Sequence, residues 1–239
     1  MYGWRARVGL IVPSSNTTME EEFRSVLPEG VSLHVARVRL RKVNVEELKK
    51  MEEYVELAAD MLADASVDVI AYGCTTGSLV GGVGYDERIA DKIERMTGVK
   101  AVATATAVLE ALRHLDVKSV AVATPYIDEV NKEEEEFLEG NGFKVVSMIG
   151  LGIEDNIEIG RQAPEVAYRL GKAAFHHDAD GLFISCTNFR TFEVLEALEV
   201  DLGKPVISSN SATLWAVLRE VGIREPVVGL GELLEFGVS

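Results

Sequence analysis

Two residues in this chain have the type and placement for acid–base or nucleophilic chemistry: Cys74 in Gly73-Cys74-Thr75-Thr76-Gly77 and Cys186 in Ser185-Cys186-Thr187-Asn188. Each closes an apolar run and precedes a threonine, the pattern of a thiol on a tight turn at a strand end. Backbone N–H groups of the residues that follow then point into the same cleft as the sulfur. Such groups, and helix N-termini, stabilise a thiolate and bind a carboxylate. A single free cysteine is as readily a small buried hydrophobe. Two at matched strand ends read instead as paired catalytic groups. Opposed across a planar carbon centre, one thiolate removes a proton or attacks carbon on one face, and the other thiol delivers a proton from the opposite face. That chemistry requires no cofactor, metal or nicotinamide, provided fixed donors hold the charge that develops on a neighbouring carboxylate.

Other candidates surround this pair. Asn16 follows Pro13-Ser14-Ser15 and precedes an acidic helical stretch, so it is either a helix N-cap or a ligand contact. Tyr126 stands just after Pro125, either on the surface or with its hydroxyl aimed into a cleft. Asn156 falls in a turn-like segment, residues 151–156, which is its alternative role. Gly81-Gly82-Val83-Gly84 lacks nucleotide-binding spacing and reads as a cover loop. His176 and His177 end a helix, and a zinc role needs more ligands than the nearby sequence gathers. Ser208-Ser209-Asn210 reads as the cap of the helix after it.

The elements that must position these groups alternate strand and helix, the signature of parallel α/β sheets. Strands are predicted at residues 7–12, 32–38, 67–72 and 101–103, then 119–123, 144–149, 181–185 and 205–208. Helical periodicity covers 17–26, 45–64, 85–96, 105–114, 127–139, 163–176, 191–198 and 212–221. The two sets of four strands align in register. VGLIVPSS (residues 8–15) lies over VAVATPYI (120–127), and DVIAYGCTTG (68–77) over DGLFISCTNF (180–189). Pro13 and Pro125, Cys74 and Cys186, and Asn44 and Asn156 share one offset of 112 residues. Beyond that the second half is shorter by about eight residues. Repetition at a fixed offset implies duplication. The predicted fold class is therefore α/β, with two pseudo-symmetric lobes of four parallel strands flanked by helices. The lobes are residues 1–115 and 116–239, with the C-terminal tail packing back on the first. Ligands of parallel sheets sit beyond the carboxyl ends of the strands, which is where every landmark falls, so an interlobe cleft is the expected site.

The bulk composition narrows the partners. A net charge of −15 argues against nucleic acid and anionic membrane surfaces. The same charge repels a carboxylate at long range, so a site for one must hold it with local donors. No apolar run reaches the roughly 18 residues of a membrane span. The start of the sequence has no cleavable signal pattern, and a cytoplasmic location is expected. Two cysteines 112 residues apart have neither disulfide-framework nor metal-site spacing.

With these residues in view, VGLIVPSSNTTMEEEF, YGCTTGSLVGG, VATPY, GIEDNIEIG, SCTNFRTFEVLEALE and GKPVISSNSATLWAVLR together resemble the maleate cis–trans isomerase and arylmalonate decarboxylase branch of the Asp/Glu racemase superfamily. The resemblance covers nearly the whole chain. It implies Cys74 as the group that attacks an olefinic carbon and Cys186 as the group that handles the proton at the neighbouring carbon. It also implies Asn16, Tyr126 and Asn156 as carboxylate-binding side chains, an anion pocket at Thr75, Thr76 and Thr187, and a homodimer or higher homo-oligomer. Arylmalonate decarboxylase keeps only the second-lobe cysteine, whereas both are present here. Aspartate and glutamate racemases carry an acidic residue and a histidine where this chain has Asn16 and Asn188. The implied activity is cis–trans isomerisation of a small dicarboxylate. Racemisation of aspartate, glutamate or another α-substituted acid stands second, then decarboxylation, and a non-catalytic carboxylate-binding protein is the rival outside enzymology.

Overall fold

The apolar runs assemble into two separate sheets. The computed structural model describes residues 2–235. The first half runs β1 (Ala6–Pro13), α1 (Met19–Val26), β2 (Val31–Val38), α2 (Val45–Met51), α3 (Val55–Asp64), β3 (Val69–Tyr72), α4 (Thr75–Leu79), α5 (Tyr85–Thr97), β4 (Lys100–Ala103) and α6 (Thr104–His114). The second runs β5 (Ser119–Thr124), α7 (Asp128–Gly140), β6 (Lys144–Gly150), α8 (Asn156–Gly160), α9 (Pro164–Ala174), β7 (Gly181–Ile184), α10 (Leu195–Leu202), β8 (Val206–Ser208), α11 (Ser209–Glu220) and α12 (Glu232–Glu235).

Both sheets are parallel and have the same order, β2-β1-β3-β4 and β6-β5-β7-β8. Their registers repeat the offset seen in the sequence: Val8 pairs with Val69, and Val120 with Gly181. Parallel strands covered by helices on both faces need apolar residues at successive positions rather than alternating ones. Accordingly β3 and β7 are buried at every residue, while the edge strands β2 and β6 are only partly covered.

Several helices depart from the periodicity, each for a local reason. The predicted helix over 45–64 is two, because Glu52–Tyr54 tightens into a 3₁₀ turn between α2 and α3. In that turn Glu52 accepts a hydrogen bond from the Tyr85 hydroxyl at 2.6 Å. The first helix begins at Met19 because Asn16 Oδ1 already takes the N–H groups of Thr18 and Met19. The helix expected at 191–198 begins only at Leu195, since Glu22 captures the Thr191 and Phe192 N–H groups as a loop. It continues to Leu202, where Gly203 caps it at a φ of 63°. Helix α11 starts at Ser209, directly after β8, on a capping box between Ser208 and Ser211.

The lobes are joined by more than the chain. Helix α11 packs on α6, with Thr213 donating to Thr104 at 3.0 Å and Arg219 paired with Glu110 at 3.2 Å. The segment after α11 touches both lobes, through an Arg5–Glu225 ion pair and through Glu199, which accepts from the Glu232 N–H. No helix among the described residues is long and apolar enough to cross a membrane.

Candidate active site

The carboxyl ends of β1, β3, β5 and β7 carry Asn16, Cys74, Tyr126 and Cys186 a few residues beyond the last strand residue, and all four are buried. Cys74 caps α4: its Sγ accepts from the Gly77 N–H at 3.3 Å, and Thr76 Oγ1 lies 4.0 Å away. Gly77 is required there. A Cβ on it would stand 2.8 Å from Cys74 Sγ and 2.8 Å from the Tyr72 hydroxyl. The Tyr72 hydroxyl is buried without a hydrogen-bond partner among the described residues. Cys186 holds a φ of 96°, in the left-handed region that a residue with a side chain adopts at a cost of about 1–3 kcal/mol. Its Sγ accepts from the Asn188 N–H at 3.3 Å. The N–H groups that meet the sulfurs are thus those of Gly77 and Asn188.

The threonines instead tie the cysteine loops together. Thr75 donates its hydroxyl to Ser209 Oγ at 2.8 Å, and the same oxygen accepts from the Cys186 N–H at 3.0 Å. Thr187 donates to the Gly73 carbonyl at 3.2 Å and accepts from Asn16 Nδ2 at 3.1 Å. Asn16 therefore does two jobs, capping α1 with its oxygen and reaching the second lobe with its nitrogen. Asn156 is the first residue of α8 rather than a turn residue. It donates to Ser15 Oγ at 2.8 Å, and its carbonyl accepts from Asn188 Nδ2 at 2.6 Å. Tyr126 is buried, and its hydroxyl lies 3.5 Å from Ser185 Oγ. The eight residues singled out in the sequence are all buried at the ends of strands or the first turns of helices facing the lobe junction.

Burial pushes the Cys74 thiol up to about 11 against the opposing pull of the Gly77 N–H and the Thr76 hydroxyl. Burial pushes Cys186 up to about 12, against Tyr126 and Asn188, with the charges of Cys74 and Glu134 adding to the rise. Both thiols are thus neutral at neutral pH, and chemistry at either must create a thiolate against desolvation.

Sequence reasoning missed Gly77, Asn188 and Ser209 as site-building residues, along with two buried carboxyls. Glu22 accepts from Thr191, Phe192 and Asn210, and Glu134 accepts from Ser185. A polar residue inside an otherwise apolar helix stripe was the one signal for the carboxyls. A cavity of about 690 Å³ beside α1, lined by Thr17, Glu22, Arg190 and Phe192 among others, does not reach either cysteine. His176, His177 and Asp178 form a surface cluster of three potential metal ligands.

Fold and site define a two-lobed parallel α/β protein with one buried cysteine at the mouth of each sheet. Residues 8–234 match the family model described as arylmalonate decarboxylase. The chain is 32% identical to the maleate isomerase of Geobacillus stearothermophilus, over 95% of this chain and 96% of that one. Among solved structures, a cysteine-to-alanine variant of the maleate isomerase Iso from Pseudomonas putida S16 with maleate superposes with a TM-score of 0.94, at 30% identity over 98% and 99% of the two chains. A cysteine-to-serine mutant of the Nocardia farcinica maleate cis–trans isomerase, with a covalently bound succinylcysteine intermediate, gives 0.93 at 30% identity over 96% and 98%. The chain belongs to the arylmalonate decarboxylase family.

Proposed function

We propose that this protein is a cysteine-dependent cis–trans isomerase of a small dicarboxylate, of the maleate-to-fumarate type. The observation that carries the reading is the linkage of the two cysteine loops through Ser209 and through Thr187–Gly73, which brings both thiols to one lobe junction. The succinylcysteine of the Nocardia relative supports attack by a cysteine in this fold.

In this reading Cys74, neutral at rest, first gives its proton to solvent as the substrate enters; its thiolate adds to one olefinic carbon, and the Cys186 thiol gives its proton to the adjacent carbon. The double bond becomes single and rotates. Cys186 then takes the proton back, the carbon–sulfur bond breaks, and the trans isomer leaves with Cys74 again a thiolate. No external oxidant or reductant enters. Asn16, Tyr126 and Asn156, with N–H groups of the two cysteine turns, hold the carboxylates. The two lobes act as the halves of one site, with boundaries near residues 115 and 116.

Asn188 weighs against amino-acid racemisation. Its carboxamide is committed to Thr17 and Asn156, and it offers no acid–base group. Incubation with maleate, followed by NMR for fumarate, tests the proposal. Conversion lost in Cys74→Ser supports it. No conversion of any dicarboxylate, with the thiols of wild type and variant equally inert, favours a binding protein. Solvent deuterium at the α-carbon of aspartate or glutamate favours a racemase.

A further inference from the structure

Glu134 is a carboxyl that the isomerase reading leaves without a task. It lies on α7, fully buried, and a helix surface so rich in glutamate had no need to bury this one. Its Oε1 accepts from Ser185 Oγ at 2.6 Å, while Oε2 is buried with no partner among the described residues. Its surroundings are Phe137 and Leu138 of its own helix, Phe183 of β7, and Thr75, Leu79 and Val108 from the first lobe. None of these is titratable. The titratable groups near it are Tyr126, after β5, and Cys186, after β7, and no cation among the described residues faces it. A lone carboxyl in such a place carries a penalty of several kcal/mol when charged. Burial accordingly raises it to about 7, the Ser185 hydrogen bond opposing.

The chain Glu134–Ser185–Tyr126 has a direction that one proton decides. Ser185 owns a single hydroxyl hydrogen, and Tyr126 another. When Glu134 is ionised, Ser185 must donate to it, and the serine oxygen is then free to accept the Tyr126 hydrogen. When Glu134 is neutral, it donates to Ser185, Ser185 donates to the Tyr126 oxygen, and the Tyr126 hydrogen is turned out toward Cys186. The Tyr126 hydroxyl also hydrogen-bonds with Cys186, so the chain ends at the sulfur.

We propose that Glu134 is a positioning residue that, in its protonated form, acts through Ser185 to aim the Tyr126 hydroxyl at Cys186 and at a carboxylate bound beside it. The proposal rests on the reading of Cys186 as the proton-carrying thiol, and two readouts keep the failures apart. The first needs no substrate: iodoacetamide labelling of Cys186 against pH, in a Cys74→Ser background. With Glu134, labelling lags behind a simple one-thiol titration as pH rises through neutrality, because the donor turns away and a negative charge forms nearby. Glu134→Gln cannot ionise and keeps a donor for Ser185. It should restore the single titration and label faster above pH 8 by about threefold or more.

The second readout is maleate turnover in proteins with Cys74 intact. Glu134→Gln should match wild type at pH 6 and lose the decline that wild type shows above about pH 7. In Ser185→Ala the Glu134→Gln change should have a clearly smaller effect on both profiles, since the chain is cut and only the charge of Glu134 still acts on Cys186. Superimposable labelling profiles with and without Glu134→Gln, or an effect of that change that is undiminished in Ser185→Ala, overturn the proposal. Failure of Glu134→Gln to fold leaves Ser185→Ala alone as the arbiter: a wild-type lag that survives it undiminished also overturns the proposal. A changed labelling profile without maleate turnover keeps the role of Glu134 and rejects the substrate.

Discussion

Thr187 donates its hydroxyl hydrogen to the carbonyl oxygen of Gly73 at 3.2 Å, so the residue after one cysteine is bonded to the residue before the other. The bond crosses between lobes, and it fixes the separation of the two thiols more directly than either sheet does. Thr187→Val keeps the shape and removes this bond, and it strands one N–H of Asn16 as well. Stability should fall by about 1–3 kcal/mol, the cost of leaving buried polar groups unpaired. Turnover of maleate should fall by roughly tenfold or more, since misplacement of a reacting group is costlier than the bond itself. Urea unfolding and steady-state kinetics on one preparation check both. A variant with wild-type turnover and reduced stability would make the bond structural alone.

The two thiols should fail differently. In Cys186→Ser the carbon beside the new carbon–sulfur bond takes its proton slowly from solvent, and no thiolate is present to remove it again, so incubation with maleate should accumulate a protein heavier by one dicarboxylate. Cys74→Ser should accumulate none and turn over nothing. Intact mass spectrometry, with peptide mapping to residue 74, checks this. An adduct on Cys186 in the Cys74 variant would reverse the assigned roles.

Gly77→Ala should be as damaging as loss of a side chain that touches substrate. The added methyl would meet Cys74 Sγ and the Tyr72 hydroxyl, each at 2.8 Å, as well as Met51 Cε at 2.5 Å. Met51 can swing away, but the sulfur is held by the Gly77 N–H and cannot without losing its one backbone donor. Expected is a loss of about tenfold or more in turnover, with Cys74 alkylation altered and folding retained, seen by circular dichroism. Wild-type activity would mean that the sulfur does not work from its observed position.

Much of this was legible in the sequence alone. The repeat placed Cys74 and Cys186 at equivalent strand ends, and the register pairs Val8–Val69 and Val120–Gly181 carry the same offset. Apolar runs as short as those of β3 and β7, alternating with helical patterns, read as buried parallel strands. What stayed hidden depends on contacts distant in sequence. Nothing local to Thr191 says that Glu22, 169 residues away, will hold its N–H and delay α10. Ser209 looked like part of a cap, and Ser208 does cap α11, but Ser209 turns its oxygen to Thr75 and Cys186. Asn16 looked like either a cap or a ligand contact. Its oxygen takes the Thr18 and Met19 N–H groups, and its nitrogen reaches Thr187 in the other lobe, a contact that nothing near Asn16 in sequence announces.

Burial raises Glu22 to about 7 despite the hydrogen bonds from Thr191, Asn210 and Phe192 that favour its charged form. In the unfolded chain the same group titrates near the ordinary glutamate value of about 4.3. Between those values the folded protein binds a proton that the unfolded chain does not. Stability from this group is therefore fully present at low pH and is lost as pH rises through about 7. From pH 6 to pH 8 the loss on account of Glu22 should be about 1.4 kcal/mol, one pKa unit's worth of free energy. Glu22→Gln keeps an oxygen for the Thr191 and Phe192 N–H groups and removes the titration, so its unfolding free energy should change less over that range by this amount. Urea unfolding of both proteins at the two pH values measures the difference. Parallel losses would show that Glu22 stays charged throughout, stabilised by its three donors more strongly than burial opposes them.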